Sequence, residues 1–321
     1  MSDTLLEVQN LTKHFPIHGG FLNREKARVY AVDGVSFSVK RGETLGLVGE
    51  SGCGKSTTGK VILKLEEPTA GTIKLKGKDI THLSRKEMLP HRREMQVIFQ
   101  DPYASLNQRM RAQDIVAEPL QNFETGSRAE QLERVAALFA RVGLRREAMH
   151  RYPHEFSGGQ RQRLGIARAL ALNPELIIAD EPVSALDVSV QAQVINLMMD
   201  LQAELGLSYL FIAHDLAVVQ HISHRIGVMY LGKIVEITDK ASLFRNPQHP
   251  YTEALLASVP VPNPRRRRKR KVLKGDVPSP LRPPPGCHFN TRCPYAEKRC
   301  FEERPALREV APGHWAACHL R

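Results

Sequence analysis

Short apolar runs separated by polar segments recur along the chain, and most of them predict β-strands. Residues 35–39 alternate between apolar and polar side chains, which is typical of a strand with one buried face. Largely apolar runs indicate strands that are buried on both faces. These runs cover residues 45–48, 95–99, 176–179 and 207–213. Further strands are predicted at residues 5–11 and 71–76, and a hairpin at residues 229–235.

Apolar residues at helical spacing lie between these strands. A helix predicted over residues 129–142 ends before Gly143, and one over residues 190–205 ends before Gly206. The apolar positions of the first are Leu132, Val135, Leu138, Phe139 and Val142, and those of the second are Val190, Val194, Leu197, Leu201 and Leu205. A short helix is predicted at residues 252–256. Strands that alternate with helices predict an α/β fold, in which residues 108–171 form a mainly helical subdomain.

Residues 45–57, with the sequence LGLVGESGCGKST, begin with the predicted strand at 45–48, continue into a glycine-rich loop and end at the start of a predicted helix. Glycines allow backbone N–H groups to surround a phosphate, and the N-terminus of the following helix adds further N–H groups. The Lys55 ammonium can reach the outer phosphates of a nucleotide, and the Ser56 hydroxyl can ligate Mg²⁺. The candidate binding residues are Gly49, Ser51, Gly52, Cys53, Gly54, Lys55, Ser56 and Thr57.

Polar residues follow three of the predicted buried strands. They are Gln100, the adjacent carboxylates Asp180 and Glu181, and His214. Side chains at the carboxyl ends of strands in an open α/β sheet are well placed to meet a ligand. Asp180 suits the outer shell of Mg²⁺, and Glu181 suits a base that polarises an attacking water. We expect His214 to contact the γ-phosphate.

The pentapeptide SGGQR at residues 157–161 begins another predicted helix. Ser157 can cap this helix, and the glycines allow a phosphate to approach its N-terminus. Ser157, Gly159 and Gln160 are therefore further candidate contacts of a nucleotide.

Aromatic residues near the N-terminus could stack on an adenine ring. Phe15 and Tyr30 are the candidates, and an exposed loop phenylalanine is the equal alternative for Phe15. Residues 17–29 predict a polar surface loop.

The net charge of +12 on this chain of 321 residues is concentrated in one run. Residues 265–271, RRRRKRK, carry seven positive charges, which leaves +5 for the rest of the chain. The run lies in a Pro-rich segment at residues 260–285 that has the composition of a linker. A solvated tail segment is the first interpretation, an anionic membrane surface is the second, and DNA is the third because no aromatic residues accompany the run. The chain has no apolar run long enough to span a bilayer and begins with no signal peptide, so we expect a soluble, cytoplasmic protein.

Four of the five cysteines lie close together near the C-terminus. Cys287, Cys293, Cys300 and Cys318 could provide a four-thiolate site for zinc or for an iron–sulfur cluster, and free cysteines are the alternative. Their spacing matches neither the common zinc-finger pairs nor the ferredoxin run. His288, His314 and His319 are alternative ligands.

The motifs GESGCGKST, Gln100, FSGGQ, LIIADEP, SALD and His214 occur in the order found in ATP-binding-cassette (ABC) ATPases, and the chain resembles that family over residues 5–240. Further segments, including QDPYASLN and PSPLRPPPGCHFNTRCPYA, are similar to the ATPase subunits of dipeptide and oligopeptide importers. The similarity is closest to the second of the two paralogous ATPases of the dipeptide system. It implies a phosphate-loop NTPase (RecA-like) core with a β-subdomain and a helical subdomain over residues 1–259. A linker at 260–285 and a small Cys-rich module at 286–321 would follow.

The resemblance also implies roles for the residues of the ATP site. Lys55 would hold the β- and γ-phosphates of ATP, and Ser56, Gln100 and Asp180 would hold Mg²⁺. Glu181 would be the catalytic base. Gln100 would also contact the water and the membrane partner.

Other implied roles concern a dimer of ATPases. Ser157 and Gly159 would contact nucleotide held by the opposite subunit, and Asp187 would bridge the two subunits. Phe15 would stack on adenine, and His214 would sense the γ-phosphate. The four tail cysteines would hold a [4Fe-4S] cluster, with zinc as the alternative.

The implied function is ATP hydrolysis that energises uptake of dipeptides or oligopeptides from the cytoplasmic face of the inner membrane. The expected partners are a second, paralogous ABC ATPase, two transmembrane permeases, and a peptide-binding protein that acts through the permeases, with no nucleic acid. Importers of nickel chelates, haem or peptide antibiotics use similar ATPases. A DNA-maintenance ATPase would carry a long coiled coil between Gln100 and Ser157, and a translation-factor-like ATPase would carry two cassettes. A redox-sensing role for the cysteines is a further alternative.

Overall fold

The computed structural model describes residues 3–19, 24–258 and 275–321. The basic run at residues 265–271 and part of the predicted linker lie outside these ranges. The strands of the described residues are β1 (Thr4–Gly19), β2 (Arg24–Lys40), β3 (Thr44–Val48), β4 (Ala70–Leu75), β5 (Lys78–Asp79), β6 (Met95–Ile98), β7 (Leu176–Asp180), β8 (Ser208–Ala213), β9 (Arg225–Tyr230), β10 (Lys233–Asp239), β11 (Arg308–Ala311) and β12 (His314–Ala316). The α-helices are α1 (Lys55–Ile62), α2 (Arg85–Glu94), α3 (Ala112–Asn122), α4 (Arg128–Arg141), α5 (Gly158–Leu170), α6 (Val188–Leu205), α7 (Leu216–Ile222), α8 (Lys240–Arg245), α9 (Pro250–Ser258) and α10 (Lys298–Glu302).

The chain divides into two compact units that interleave along the sequence. The first consists of Met1–Val39, Thr44–His82 and Ala213–Arg321, and the second consists of Lys40–Glu43 and Leu83–Ile212. The phosphate loop, His214 and the cysteine-bearing tail therefore belong to the first unit. Gln100, the SGGQR pentapeptide and the two adjacent carboxylates belong to the second.

The second unit contains a parallel sheet in the order β8-β7-β6, together with helices α2 to α6. Residues 176–179 of the middle strand, β7, are all buried, as the continuous apolar run predicts. Helices α3, α4 and α5 contact one another and occupy the stretch predicted to be helical. The apolar residues Val135, Leu138 and Phe139 of α4 are buried.

Three helices of the second unit begin after a serine that caps the helix. Ser84, Ser127 and Ser157 each accept a hydrogen bond from the N–H of the third helical residue, whose side chain accepts one from the N–H of the serine. This reciprocal pair satisfies two N–H groups that the first turn of a helix leaves free. The predicted cap at Ser157 is confirmed, and it determines that α5 begins at Gly158.

The first unit contains two sheets. One has the order β2-β1-β4-β5, and the other runs β11-β12-β10-β9-β3, in which β3 and β9 are parallel. The predicted hairpin at residues 229–235 is confirmed as the turn between β9 and β10. Strand β12 pairs with β10, so the tail extends this sheet.

Two local predictions differ from the structure. The surface loop predicted at residues 17–29 is wrong for residues 17–19 and 24–29, which extend β1 and β2. Most of these residues are exposed, and their polar composition reflects a solvated strand rather than the absence of one. In α6 the buried stripe includes Ile195 and Met198, whereas Leu205 is exposed, because apolar residues occur on more than one side of this helix. No helix within the described ranges is long and apolar enough to cross a membrane.

Candidate nucleotide-binding site

The phosphate loop connects the buried strand β3 to helix α1. Gly49, Gly52 and Gly54 have φ angles of 155°, 78° and 104°, a region that residues with a Cβ rarely adopt. A Cβ on Gly49 would lie 2.1 Å from the carbonyl oxygen of Met229, and one on Gly54 would lie 2.0 Å from that of Ala31. Both backbone conformation and space therefore require glycine at these two positions.

Lys55 is the first residue of α1, and its ammonium group lies against the phosphate loop. Its Nζ donates hydrogen bonds to the carbonyl oxygens of Gly49 at 2.8 Å and Glu50 at 3.1 Å, and the residue is only 4% exposed. The N-terminus of α1 lies beside this positive charge, and the dipole of a helix favours an anion at that end. The arrangement suits a bound polyphosphate. Ser56, the predicted ligand of Mg²⁺, follows as the second residue of the helix.

In the second unit, Gln100 and Glu181 lie within hydrogen-bond distance of each other. Nε2 of Gln100 donates to Oε2 of Glu181 at 3.0 Å. The residues follow β6 and β7, which are parallel neighbours, so their side chains emerge at the same edge of the sheet. The proposed base and the proposed water-positioning amide are thereby brought together. Asp180, the last residue of β7, is half-buried beside them.

The backbone of Glu181 is held in an unusual conformation. Its φ of 45° lies in the left-handed region, which is uncommon for a residue other than glycine. Its N–H donates to the carbonyl oxygen of Ile212 in β8 at 2.9 Å, and its own carbonyl oxygen accepts from the N–H and Oγ of Ser184. Strained backbone persists where surrounding contacts hold it, and such positions are frequent in functional sites. These bonds hold the backbone from which the Glu181 side chain extends.

The SGGQR pentapeptide packs against the start of α6. A Cβ on Gly159 would lie 2.5 Å from Cγ1 of Val190, so glycine permits this close approach. Asp187 caps α6 by accepting hydrogen bonds from the Ser189 hydroxyl at 2.7 Å and from the Val190 N–H at 2.9 Å. These bonds lower the pKa of the Asp187 carboxyl below its ordinary value. The exposed residues Ser157 and Asp187 therefore lie on adjoining parts of the second unit.

The candidate adenine-stacking residues lie on strands of the first unit, so the alternative of a loop phenylalanine is wrong. Phe15 is a half-buried residue of β1, with the Lys13 ammonium 4.6 Å from its ring centroid. The Tyr30 ring packs edge-on against His14, with centroids 4.5 Å apart. His214 follows β8 and is exposed.

The four tail cysteines line one small cavity in the first unit, and all four are free thiols. Burial raises the pKa of the Cys287 thiol to about 11 and raises those of Cys293 and Cys318. Backbone N–H groups of Phe289, Tyr295 and Leu320 donate to the sulfurs of these three residues. Across the described residues, no three His, Cys, Asp or Glu side chains stand at metal-binding spacing.

The histidines proposed as alternative ligands differ in position. His319 lines the cysteine cavity, and so does His249, which the sequence analysis did not select. His314 is instead bonded through Nε2 to the buried carboxylate of Glu236 at 2.7 Å. His288 bonds through Nδ1 to the carbonyl oxygen of Leu231 at 3.2 Å.

Two segments of the chain match known protein families. Residues 32–184 match the ABC transporter family, and residues 235–300 match the C-terminal region of oligopeptide/dipeptide transporters. The chain is 58% identical to the oligopeptide transport ATP-binding protein AppF of Bacillus subtilis, over 99% of this chain and 98% of that protein. The chain belongs to the peptide-transport ATP-binding proteins of the ABC family. A further member, the probable peptide ABC transporter ATP-binding protein y4tS of Sinorhizobium fredii, is 56% identical over 100% of this chain and 91% of that protein.

Solved structures of ABC proteins share the fold. The ATP-binding cassette MJ0796, in a dimeric post-hydrolysis state bound to ADP and Pi, matches 74% of this chain and 99% of its own with a TM-score of 0.66 at 29% identity. The protein cbiO1 from Clostridium perfringens, part of the ABC transporter complex cbiONQ, matches 76% of this chain and 92% of its own with a TM-score of 0.65 at 26% identity. The predicted phosphate-loop α/β fold is thus confirmed as the ABC cassette.

One set of contacts at the phosphate loop was missed by the sequence analysis. The side chain of Glu50 pairs with Arg292, and its N–H donates to the hydroxyl of Tyr251 at 2.9 Å. Glu50 and Arg292 are separated by 242 positions in the sequence, so no local pattern connects them.

Proposed function

We propose that this chain hydrolyses ATP to power the import of dipeptides or oligopeptides through an ABC-type membrane complex. The full-length likeness to an oligopeptide transport ATP-binding protein is the observation that carries the cargo class. The phosphate loop with Lys55, together with the hydrogen-bonded pair Gln100 and Glu181, supports hydrolysis.

The residues of the two units have separate roles in this proposal. Lys55 would bind the β- and γ-phosphates, and Phe15 would stack on the adenine. Glu181 would accept a proton from the attacking water, and Gln100 would help to orient that water. His214 would contact the γ-phosphate, the group that hydrolysis removes.

The donors proposed for Mg²⁺ are the hydroxyl of Ser56, the amide oxygen of Gln100 and the carboxylate of Asp180. All three are oxygen donors. A set of only three protein ligands suits Mg²⁺, because this ion keeps several of its waters when it binds to a protein. When bound, the ion neutralises charge on the β- and γ-phosphates.

We further propose that two ATPase chains act as a pair, in which the second chain is a paralogue or another copy. MJ0796, which shares the fold, is dimeric with ADP and Pi bound. Ser157, Gly159 and Gln160 are exposed or half-exposed, as residues that reach nucleotide on a partner must be. ATP would close the pair and hydrolysis would reopen it, since a ligand shifts an equilibrium only through its different affinity for the two states.

The closing of the pair would drive two permeases at the cytoplasmic face of the cell membrane, to which a peptide-binding protein delivers cargo. The test is to purify the membrane complex with its binding protein and to reconstitute it in vesicles. We expect peptide-dependent ATP hydrolysis and peptide uptake. Stimulation by a nickel chelate, haem or a peptide antibiotic instead would reassign the cargo, and stimulation by DNA would favour a DNA-maintenance ATPase.

We also propose that the tail holds a metal group through Cys287, Cys293, Cys300 and Cys318, a [4Fe-4S] cluster in the first place and zinc as the alternative. Four free thiols line one cavity and backbone N–H groups donate to three of the sulfurs, so the type of donor suits either group. The cavity is small, about 10 Å³, and among the described residues no three of these side chains stand at metal-binding spacing, so the sulfurs would have to move to bind either group.

Protein purified without oxygen is expected to be brown and to contain iron and acid-labile sulfide. Cys300→Ser should lose the iron and make the tail more sensitive to protease, because metal binding supplies folding free energy to small modules. The matched control is Cys53→Ser in the phosphate loop, which should retain the iron. Stoichiometric zinc without iron would show that the site binds zinc rather than a cluster. Protein that contains neither iron nor zinc would refute the proposal.

A further inference from the structure

The cysteine-bearing tail reaches the phosphate loop through one charged side chain. Arg292 directly precedes Cys293, and its guanidinium forms two hydrogen bonds with the Glu50 carboxylate, Nη1 to Oε2 at 2.8 Å and Nη2 to Oε1 at 3.1 Å. The planar guanidinium and the planar carboxylate match each other in this two-bond geometry. Glu50 is the first residue after Gly49 in the phosphate loop.

The pair is sheltered from solvent. The Arg292 side chain is 7% exposed and that of Glu50 is 26% exposed. The hydroxyl of Tyr230 also accepts a hydrogen bond from Arg292 at 3.4 Å. Removing one partner of such a pair leaves the other charge desolvated and unpaired, so the pair acts as a unit.

Glu50 connects this pair to the phosphate-binding lysine. Its carbonyl oxygen accepts from Nζ of Lys55 at 3.1 Å, while its N–H donates to the hydroxyl of Tyr251. Three groups of one residue are therefore engaged, the carboxylate by the tail, the N–H by α9 and the carbonyl by Lys55. Arg292 and Lys55 therefore both hydrogen-bond to the same residue, Glu50.

Other contacts hold the tail in place beside the loop. Phe289 is 1% exposed and packs among aromatic rings, with its centroid 5.3 Å from that of Tyr230 and 5.4 Å from that of Tyr251. Residues 277–280 form one wall of a cavity of about 240 Å³ whose other lining residues include Glu50 to Cys53. Because the Arg292 backbone belongs to a segment that is packed in this way, its guanidinium is presented to Glu50 at small cost in conformational entropy.

We propose that Arg292 is a positioning residue of the ATP site, which holds the phosphate loop in its nucleotide-binding conformation through Glu50. The tail is then a part of the ATP site as well as a carrier of cysteines. The inference rests on the proposed function, since it requires that the loop bind ATP. It does not depend on which metal, if any, the cysteines hold.

The test is nucleotide affinity of the full chain in which Arg292 is replaced by glutamine. We expect the Kd for ATP to rise about tenfold, within the range of coupling between contacting residues, with little change in kcat at saturating ATP. Amide hydrogen exchange of residues 49–55 should become faster. Arg292→Lys should recover part of the affinity, because lysine retains the charge but not the two-bond geometry.

The chain provides a matched control in Arg299, which directly precedes Cys300 as Arg292 precedes Cys293. Its Nε bonds to Glu303 within the tail at 2.9 Å, and its side chain is 61% exposed. Arg299→Gln should leave ATP affinity and exchange of the loop unchanged. The double variant Glu50→Gln with Arg292→Gln should have about the same Kd for ATP as either single variant, because both single changes break the same ion pair.

Several results would overturn the inference. One is a Kd for ATP of Arg292→Gln within twofold of that of Arg299→Gln, together with unchanged amide hydrogen exchange at residues 49–55. Another is a loss of ATP affinity in the double variant that equals the sum of the losses in the two single variants. If Arg292→Gln does not fold, Arg292→Lys and Glu50→Gln carry the same comparison. If the unmutated chain does not bind ATP, the proposed function is refuted, and this inference with it.

Discussion

Replacing Glu181 with glutamine is expected to lower steady-state ATP hydrolysis by about a hundredfold to ten-thousandfold, while ATP still binds. Glutamine keeps the size of the side chain and can still hydrogen-bond with Gln100, which lies 3.0 Å from the Glu181 carboxylate. It cannot act as a carboxylate base. Because ATP then binds without being consumed, we also expect the variant to accumulate as a closed dimer in ATP, which sizing would detect.

The control for this variant is Glu175→Gln, since Glu175 directly precedes β7 and Glu181 directly follows it. Glu175 forms an exposed ion pair with Arg41, and exposed pairs contribute little to stability. This change should leave hydrolysis within about twofold of the unmutated rate. Hydrolysis by Glu181→Gln near the unmutated rate, with binding intact, would show that another group accepts the proton.

Mixing two inactive variants is expected to restore part of the activity. Ser157→Arg places a bulky cation at the start of α5, where we propose that the partner's γ-phosphate binds, and should block closure while the monomer still binds nucleotide. Lys55→Ala removes the ammonium from the phosphate loop. Each variant alone should lose nearly all hydrolysis. In a dimer that contains one of each, one composite site carries both lesions and the other carries neither.

Random pairing of equal amounts should return at most about a quarter of the unmutated rate, because half of the dimers are mixed and each has one intact site. Ser127→Arg is the control for the loss of a helix cap, since Ser127 caps α4 with the same reciprocal bonds that Ser157 makes at α5. It should lose stability, about 1 kcal/mol, without losing closure. Mixed dimers that form on sizing but show no recovery would contradict a composite site in a pair of identical chains.

The sequence by itself determined the features that depend on neighbouring residues. The glycines and Lys55 of the phosphate loop follow one another in a spacing that a phosphate-binding backbone requires, and the structure places that loop between β3 and α1. The start of α5 was predictable for the same reason, since Ser157 and Gln160 satisfy each other's backbone N–H groups within one turn. The continuous apolar run of β7 likewise indicates a strand buried on both faces.

Only the tertiary structure decided the features that depend on distant segments. The left-handed backbone of Glu181 is held by Ile212 of a neighbouring strand, and the polar residues 24–29 form a strand because β1 is beside them. Glu50 contacts Arg292 across 242 positions, in a segment of the tail whose Phe289 packs against Tyr230 and Tyr251. The residues next to a side chain in the sequence do not predict such contacts. These contacts arise from the pairing of strands and the packing of rings that are far apart in the chain. The chemistry of the ATP site can therefore be predicted from the sequence, whereas the contact between its phosphate loop and the tail is a property of the fold.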